Sequence, residues 1–431
     1  MNIVIRDGRI VDPANKIDTV EDIYLADKII IARGARPDGF QIELEIDATG
    51  KIVCPGLVDL SVRLREPGYK AKGSIATETK AAVSGGVTTV CYPPDTIPVV
   101  DSAAVVEWIH QRAVQAGFAK VLPYGALTQG LLSEHIAEMW VLKQAGCVGM
   151  SNAYKPVKTE IMRRSMEYAA SHDITLFLHA EESSLSANGC VHEGVVSTRL
   201  GLGGIPEAAE TVALGRDLNL IELTGARSHF CHISSANAVK MIAAAQADGL
   251  PVTADVTIFH LYLTEIDIGN FNTQCNVRPP LRTQRDLEGL RAGLISNTLS
   301  AICSDHQPHD IDAKLAPFPS SEPGISSIEG LLPLCLRLVD EPLFSLSEAL
   351  SRVTINPAKI LGIEAGTLSI GMPADVCIFD PTKYWQLSQE SMFSHGKNTP
   401  FMGWDLKGQV THTFVDGRLV FQQDAHSGGP L

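Results

Sequence analysis

The chain has 431 residues, 45% hydrophobic, 19% charged and only 6% aromatic, enough apolar material for a sizeable buried core. Its 35 Lys and Arg against 49 Asp and Glu give a net charge of −14, which opposes broad binding to nucleic-acid phosphates or to an anionic membrane surface. No apolar stretch approaches the roughly 18 residues of a membrane span, so neither nucleic acid nor membrane is expected as a partner.

Met1 to Pro13 place Arg6, Asp7 and Arg9 among apolar positions, unlike the unbroken apolar core of a secretory signal, and a cytoplasmic location is expected. Residues 1–54 alternate in strand fashion with turn signals at Asp7-Gly8 and Asp12-Pro13. From about residue 55 to 355 one phrase repeats: a β-branched apolar run, a polar loop, then an amphipathic helical stretch. Eight such runs occur, at 56–64, 86–92, 121–127, 148–152, 174–180, 226–233, 251–259 and 299–305. Helices are expected over stretches such as 102–116, 207–223 and 236–247. Eight β-α units over this length predict a closed (β/α)8 barrel rather than an open doubly wound sheet.

Residues 366–431 return to strand-like alternation. Neither flank is long enough for a core of its own, so the expected organisation is a barrel domain over 55–360 and a composite β-sandwich domain from 1–54 and 361–431. The Gly-rich tail His426 to Leu431 is expected to fray. Nine cysteines lie scattered between Cys54 and Cys377 without a C-x-x-C pair, which predicts buried reduced thiols rather than disulfides or zinc cages.

In such a barrel the chemistry sits where the strands end. Strand one ends Asp59-Leu-Ser61-Val-Arg63-Leu-Arg65-Glu66, strand two Tyr92-Pro-Pro-Asp95, strand four Ser151-Asn152-Ala153, strand five His179-Ala-Glu181, strand six His232-Ile-Ser234 and strand eight Asp305-His-Gln-Pro-His309. His179, His232 and Asp305 therefore point into one mouth from three strands, and two imidazoles with a carboxylate can hold a divalent metal. Equally, a histidine that closes a strand can be a hydrogen-bonded structural residue. Arg65 is expected to bind an anionic group, or else to pair with Glu66 or Asp95. His172, His192, His229 and His260 carry no positional argument and default to structure or solvent.

Taken together, Pro55-Gly-Leu-Val-Asp-Leu60, Leu64-Arg-Glu-Pro-Gly68, Gly85-Gly-Val-Thr-Thr89, His179-Ala-Glu181, His232-Ile-Ser-Ser-Ala236, Pro279-Pro-Leu-Arg282, Asp305-His-Gln-Pro-His309, Asn356-Pro-Ala-Lys359 and Gly371-Met-Pro-Ala-Asp375 resemble dihydroorotase, a cyclic-amide hydrolase of the amidohydrolase superfamily. The matches run nearly end to end. The resemblance implies one or two zinc ions that activate a water, an aspartate closing strand eight that shuttles the proton, and an arginine and an asparagine that grip the substrate's carboxylate.

Carried over position by position, the resemblance is partial. The family's His-x-His ligand pair falls on Ser61 and Arg63, and a metal-bridging Asp falls on Ala153. The carboxylate-gripping Asn falls on Asp95, and a further Asn near the substrate falls on Arg278. Arg65, His179, His232, Asp305 and His309 survive. The resemblance thus assigns Arg65, Asp95, Arg278 and His309 to substrate-binding positions, His179, His232 and Asp305 to any remaining metal, and Asp305 to a vestigial general base.

A hydrolytic zinc needs about three protein ligands and an open position before its water reaches a pKa of about 7. Ser61 is a poor ligand, Arg63 a permanent cation, and a metal on Asp305 would occupy the base. No zinc, or one, is expected. A buried carboxylate without a cation is costly, so Arg63 is expected to reach Asp305 or Asp95 in place of the missing ion, with His179 and His232 left as neutral hydrogen-bonding residues, or else to turn to solvent or Glu66. An intact barrel with a dismantled ligand set is similar to the non-catalytic dihydroorotase-like chains that associate with the catalytic chain of bacterial aspartate carbamoyltransferase in pyrimidine biosynthesis. That resemblance implies a homodimer or hetero-oligomer. The other expectation is an active amidohydrolase with a single metal.

Overall fold

A computed structural model describes residues 1–187 and 189–423; the tail from His426 to Leu431 lies outside the described residues. A barrel strand falls on each of the eight apolar runs, the third beginning one residue before its run: Leu57–Asp59, Val87–Tyr92, Lys120–Pro123, Met150–Ser151, Leu176–Leu178, Ser228–Phe230, Val252–Thr257 and Ala301–Cys303. Every neighbouring pair that is laddered runs parallel. Strand three continues through Gly125–Ala126, which pairs with strand four. A parallel bridge from Val62 to His306 closes strand one on strand eight. The strands are almost wholly buried, as in Val87–Tyr92, because helices cover their outer face and side chains fill the interior.

The expected helices form at Ala103–Ala116, Ala208–Thr224 and Ala236–Ala247. The last begins where it does because the Ser235 hydroxyl accepts from the Ala238 N–H, satisfying one of the orphan donors of the first turn. Ser74 caps Ile75–Ser84 in the same way, reciprocally with Thr77.

The two ends of the chain build one sheet of eight strands. In spatial order they are Arg418–Gln422, Asp405–Val415, Val376–Gln386, Ile52–Pro55, Ile3–Asp12, Ile17–Ala26 and Ile29–Arg33, with Leu44–Asp47 beside Ile3–Asp12. Ile52–Pro55 lies between N-terminal and C-terminal strands, and its antiparallel ladder to Val376–Phe379 sets Cys54 opposite Cys377. Ile5, Ile10, Ile23, Val53, Val376 and Phe414 belong to the sheet's own core. All nine cysteines are free thiols.

Between Val376–Gln386 and Asp405–Val415 the chain makes an excursion back onto the barrel. There the Asn398 amide donates to Gln307 O and Gly324 O, at 3.0 and 3.1 Å, and its oxygen accepts from His309 N at 2.8 Å. The loop that carries the end of strand eight is thereby clamped by the terminal domain.

Candidate active-site mouth

Four residues at strand ends hold left-handed backbone conformations that non-glycine residues seldom adopt: Arg65 at φ 63°, Ala153 at 49°, His232 at 59° and Asp305 at 43°. Such strain persists where the surrounding structure over-determines it, and it concentrates at functional sites.

Asp305 is the hub, only 1% exposed. Its Oδ1 accepts from Ser61 Oγ at 3.0 Å and Arg63 Nη1 at 3.1 Å. Its Oδ2 accepts from the Tyr154 hydroxyl and Gln307 Nε2, both at 2.9 Å. Arg63 is itself buried, and its Nε donates to Asp95 at 2.9 Å. One guanidinium therefore spans two carboxylates, and its planar fork lies 4.6 Å from the ring centroid of Tyr154. Burial alone would raise the Asp305 carboxyl, but His232 and Arg63 overcome it and hold it below the ordinary range.

The two histidines differ. His232 Nε2 lies 3.7 Å from Asp305 and its Nδ1 3.4 Å from Asp255; burial disfavours its charge, yet the two carboxylates raise its pKa above the usual histidine value. Asp305 is the stronger of the two carboxylate influences on this ring, and Asp255, from the next strand, adds to it. His179 is lowered by burial, sits edge-on to Tyr154 at 4.6 Å, and keeps a buried Nδ1 without a hydrogen-bond partner among the described residues.

The donors do not fit the family's metal. A guanidinium lies against Asp305 where a cation would have to bind, and all four hydrogen bonds to that carboxylate come from protein. Among the described residues, the groups of His, Cys, Asp and Glu whose ligand atoms come within 4.8 Å of one another are His229–Cys231–Asp255 and His232–Asp255–Cys303. The expected trio of His179, His232 and Asp305 is not brought together in this way. The cavity left in the mouth, lined by Ser61, Arg63, Ala153, Tyr154, His179 and His232 among others, measures about 20 Å³, room for about one water.

The expected substrate-binding residues are also engaged. Arg65 donates from Nε to Pro308 O at 2.9 Å and meets His309 Nε2 at 3.1 Å. Neither alternative for Arg65 is realised as an ion pair, since Glu66 is held by Lys70 and Arg112 and Asp95 by Arg63. Burial, with Arg65 beside it, pushes His309 down to about 2, so its imidazole is neutral. Arg278 is paired with Glu181, which it grips through Nε at 2.8 Å and through Nη2. His229, expected in structure or solvent, lies within hydrogen-bond distance of Asp255 and Thr253.

Tyr154, Gln307 and Asp255 escaped the sequence reading. Gln307 stands inside the strand-eight motif, and Tyr154 directly follows the altered Ala153, so an aromatic beside a lost ligand was the one available signal. Asp255 is hidden in an apolar run.

Residues 50–238 match the dihydro-orotase-like family model and residues 334–421 the amidohydrolase family model. The chain is 46% identical over 423 residues to a dihydroorotase-like protein of Pseudomonas aeruginosa, covering 98% of this chain and 100% of that one. It is 42% identical over 426 residues to a dihydroorotase of Geobacter sp., covering 98% and 100%. In fold it is similar to the L-hydantoinase (dihydropyrimidinase) of Arthrobacter aurescens, with a TM-score of 0.87, 24% identity and coverage of 97% and 96%.

Proposed function

This chain belongs to the dihydroorotase-like family of amidohydrolases, and from that premise we propose that it is a non-catalytic member which supports assembly of aspartate carbamoyltransferase. The observation that carries the reading is the filled mouth. Arg63 and Tyr154 occupy the space in which the reaction would take place, and Asp305 accepts four hydrogen bonds, leaving it no free lone pair with which to take a proton. The resemblance set out above supplies the partner: the catalytic chain of the transferase, in the cytoplasm, with this chain as a homodimer or within a hetero-oligomer. No helix among the described residues is long and apolar enough to cross a membrane.

A zinc-dependent cyclic amidohydrolase with one metal is the rival reading. It draws on relatives named dihydroorotase and on the partnerless Nδ1 of His179.

Two measurements separate the readings. Purified protein assayed with and without added zinc is expected to hydrolyse dihydroorotate no faster than the uncatalysed background, and elemental analysis of protein grown without added zinc is expected to find well under one equivalent of tightly bound divalent metal per chain. Turnover that rises in step with one bound zinc would establish the rival. For the partner, the chain and the transferase are expected to co-elute at equal stoichiometry from a sizing column, with the transferase alone smaller or less stable. Separate elution at micromolar concentration would remove the assembly role.

A further inference from the structure

One layer below the mouth, strands six, seven and eight turn imidazole, carboxylate and thiol groups toward one another. Asp255 is fully buried. Its Oδ2 lies 3.0 Å from His229 Nε2, and its Oδ1 accepts from the His232 main-chain N–H at 2.6 Å. His232 uses its two ring nitrogens in opposite directions: Nε2 faces Asp305 in the mouth, whereas Nδ1 faces inward, 3.4 Å from Asp255 Oδ1 and 3.3 Å from Cys303 Sγ. Cys231 approaches the same carboxylate from the side of His229.

These separations suit a metal. Zinc bonds of roughly 2.0–2.2 Å to nitrogen or oxygen and about 2.3 Å to sulfur give a tetrahedron with edges of about 3.3 to 3.6 Å. The nitrogen–sulfur and nitrogen–oxygen separations around His232 Nδ1 match such edges. One sulfur, one imidazole and one carboxylate make a borderline-soft donor set, which selects zinc-like ions over magnesium or calcium.

We propose that His232 through Nδ1, Asp255 through Oδ1 and Cys303 through Sγ form a site for a single thiophilic d10 cation, Zn²⁺ or Cd²⁺, inside the barrel beneath the mouth. The site uses none of Ser61, Arg63, Ala153 or Asp305 and does not depend on whether the protein hydrolyses anything. The Cys303 thiol gives up its proton to solvent as the cation binds and becomes a thiolate ligand. Of the three donors, His232 also lines the small cavity of the mouth, so the site lies directly beneath that cavity's wall.

The test is cadmium titration of the purified full-length chain, followed by the ultraviolet thiolate-to-cadmium charge-transfer band. The band is expected to saturate at one ion per chain and to be suppressed by zinc. It should be lost in Cys303→Ser and retained in Cys190→Ser, a half-buried thiol elsewhere. No band at one equivalent overturns the site, as does a band that survives Cys303→Ser. Should Cys303→Ser melt early without metal, the cadmium-113 resonance of the unmutated chain decides: a shift typical of one sulfur among nitrogen and oxygen ligands supports the site, and one typical of all-sulfur or all-oxygen ligation refutes it.

Discussion

Replacing Arg63 by alanine is expected to destabilise the fold by about 3 kcal/mol, the magnitude typical of removing one partner from a buried ion pair. The guanidinium joins Asp305 to Asp95, so its loss leaves the 1%-exposed Asp305 with hydrogen bonds from Ser61, Tyr154 and Gln307, His232 at 3.7 Å, and no arginine charge. Arg63→Lys should recover only part of the loss, because a single ammonium cannot present the planar fork that reaches both carboxylates. The double variant Arg63→Ala/Asp305→Asn should be less damaged than the sum of its parts, since it removes the stranded charge as well. In the unaltered protein Asp305 is depressed, so its contribution is present above the ordinary carboxylate range and is lost only as pH falls through the lower folded value. Without Arg63, His232 is the remaining cation beside this carboxylate, 3.7 Å away, and it gains its charge as pH falls. The deficit of Arg63→Ala is therefore expected to be largest at pH 8 and to shrink towards pH 5. Chemical denaturation at both pH values measures this, and equal stability of variant and parent at pH 8 would sink the replacement of zinc by arginine.

Glu78→Ala is expected to cost about 3–5 kcal/mol, for a related reason. Glu78 is fully buried on the helix Ile75–Ser84. It accepts from His306 Nε2 at 2.9 Å, from Ser394 Oγ at 2.7 Å, from His395 N at 3.1 Å and from Thr77 Oγ1 at 2.8 Å. Burial works against its charge, but His306 and the hydroxyls prevail and hold its carboxyl below the usual range. Truncation would orphan donors on the strand-eight loop and on the excursion of the terminal domain together. The excursion between residues 388 and 398 should then become cleavable by a protease that leaves the parent intact. Glu78→Gln, which retains an acceptor, should lose less. Unchanged stability of Glu78→Ala in denaturant would show that the excursion is held by other contacts.

Much of the fold was legible because barrel strands are short apolar runs closed by polar residues, and all eight stand where those runs stand. The contact of Arg63 was legible for a different reason: closure of the barrel makes strand eight the neighbour of strand one, so a permanent cation near the end of strand one has Asp305 within reach. What depended on packing was not legible. Arg278 and Glu181 are 97 positions apart and meet only because loops fold over the mouth. The surroundings of His232 include Asp255, which in sequence is one polar residue in a buried strand and in space accepts from its main-chain N–H. Tyr154 fills the mouth by the direction its loop takes after the left-handed Ala153, and residue order alone does not encode that direction.

The placement of Ile52–Pro55 inside the terminal sheet also sets a timetable for synthesis. This strand is made early and leads directly into the barrel, yet its antiparallel partner Val376–Phe379 emerges from the ribosome roughly 320 residues later. Throughout that interval one side of the strand presents unpaired amides and carbonyls beside an apolar face that includes Val53, the kind of open edge that recruits stray strands. The barrel can close before the sheet does, because its last strand ends at Cys303. A chain halted between the helix that ends at Leu361 and Val376 would carry a closed barrel and a half-built sheet, and its hazard would be aggregation through the terminal domain rather than misfolding of the barrel.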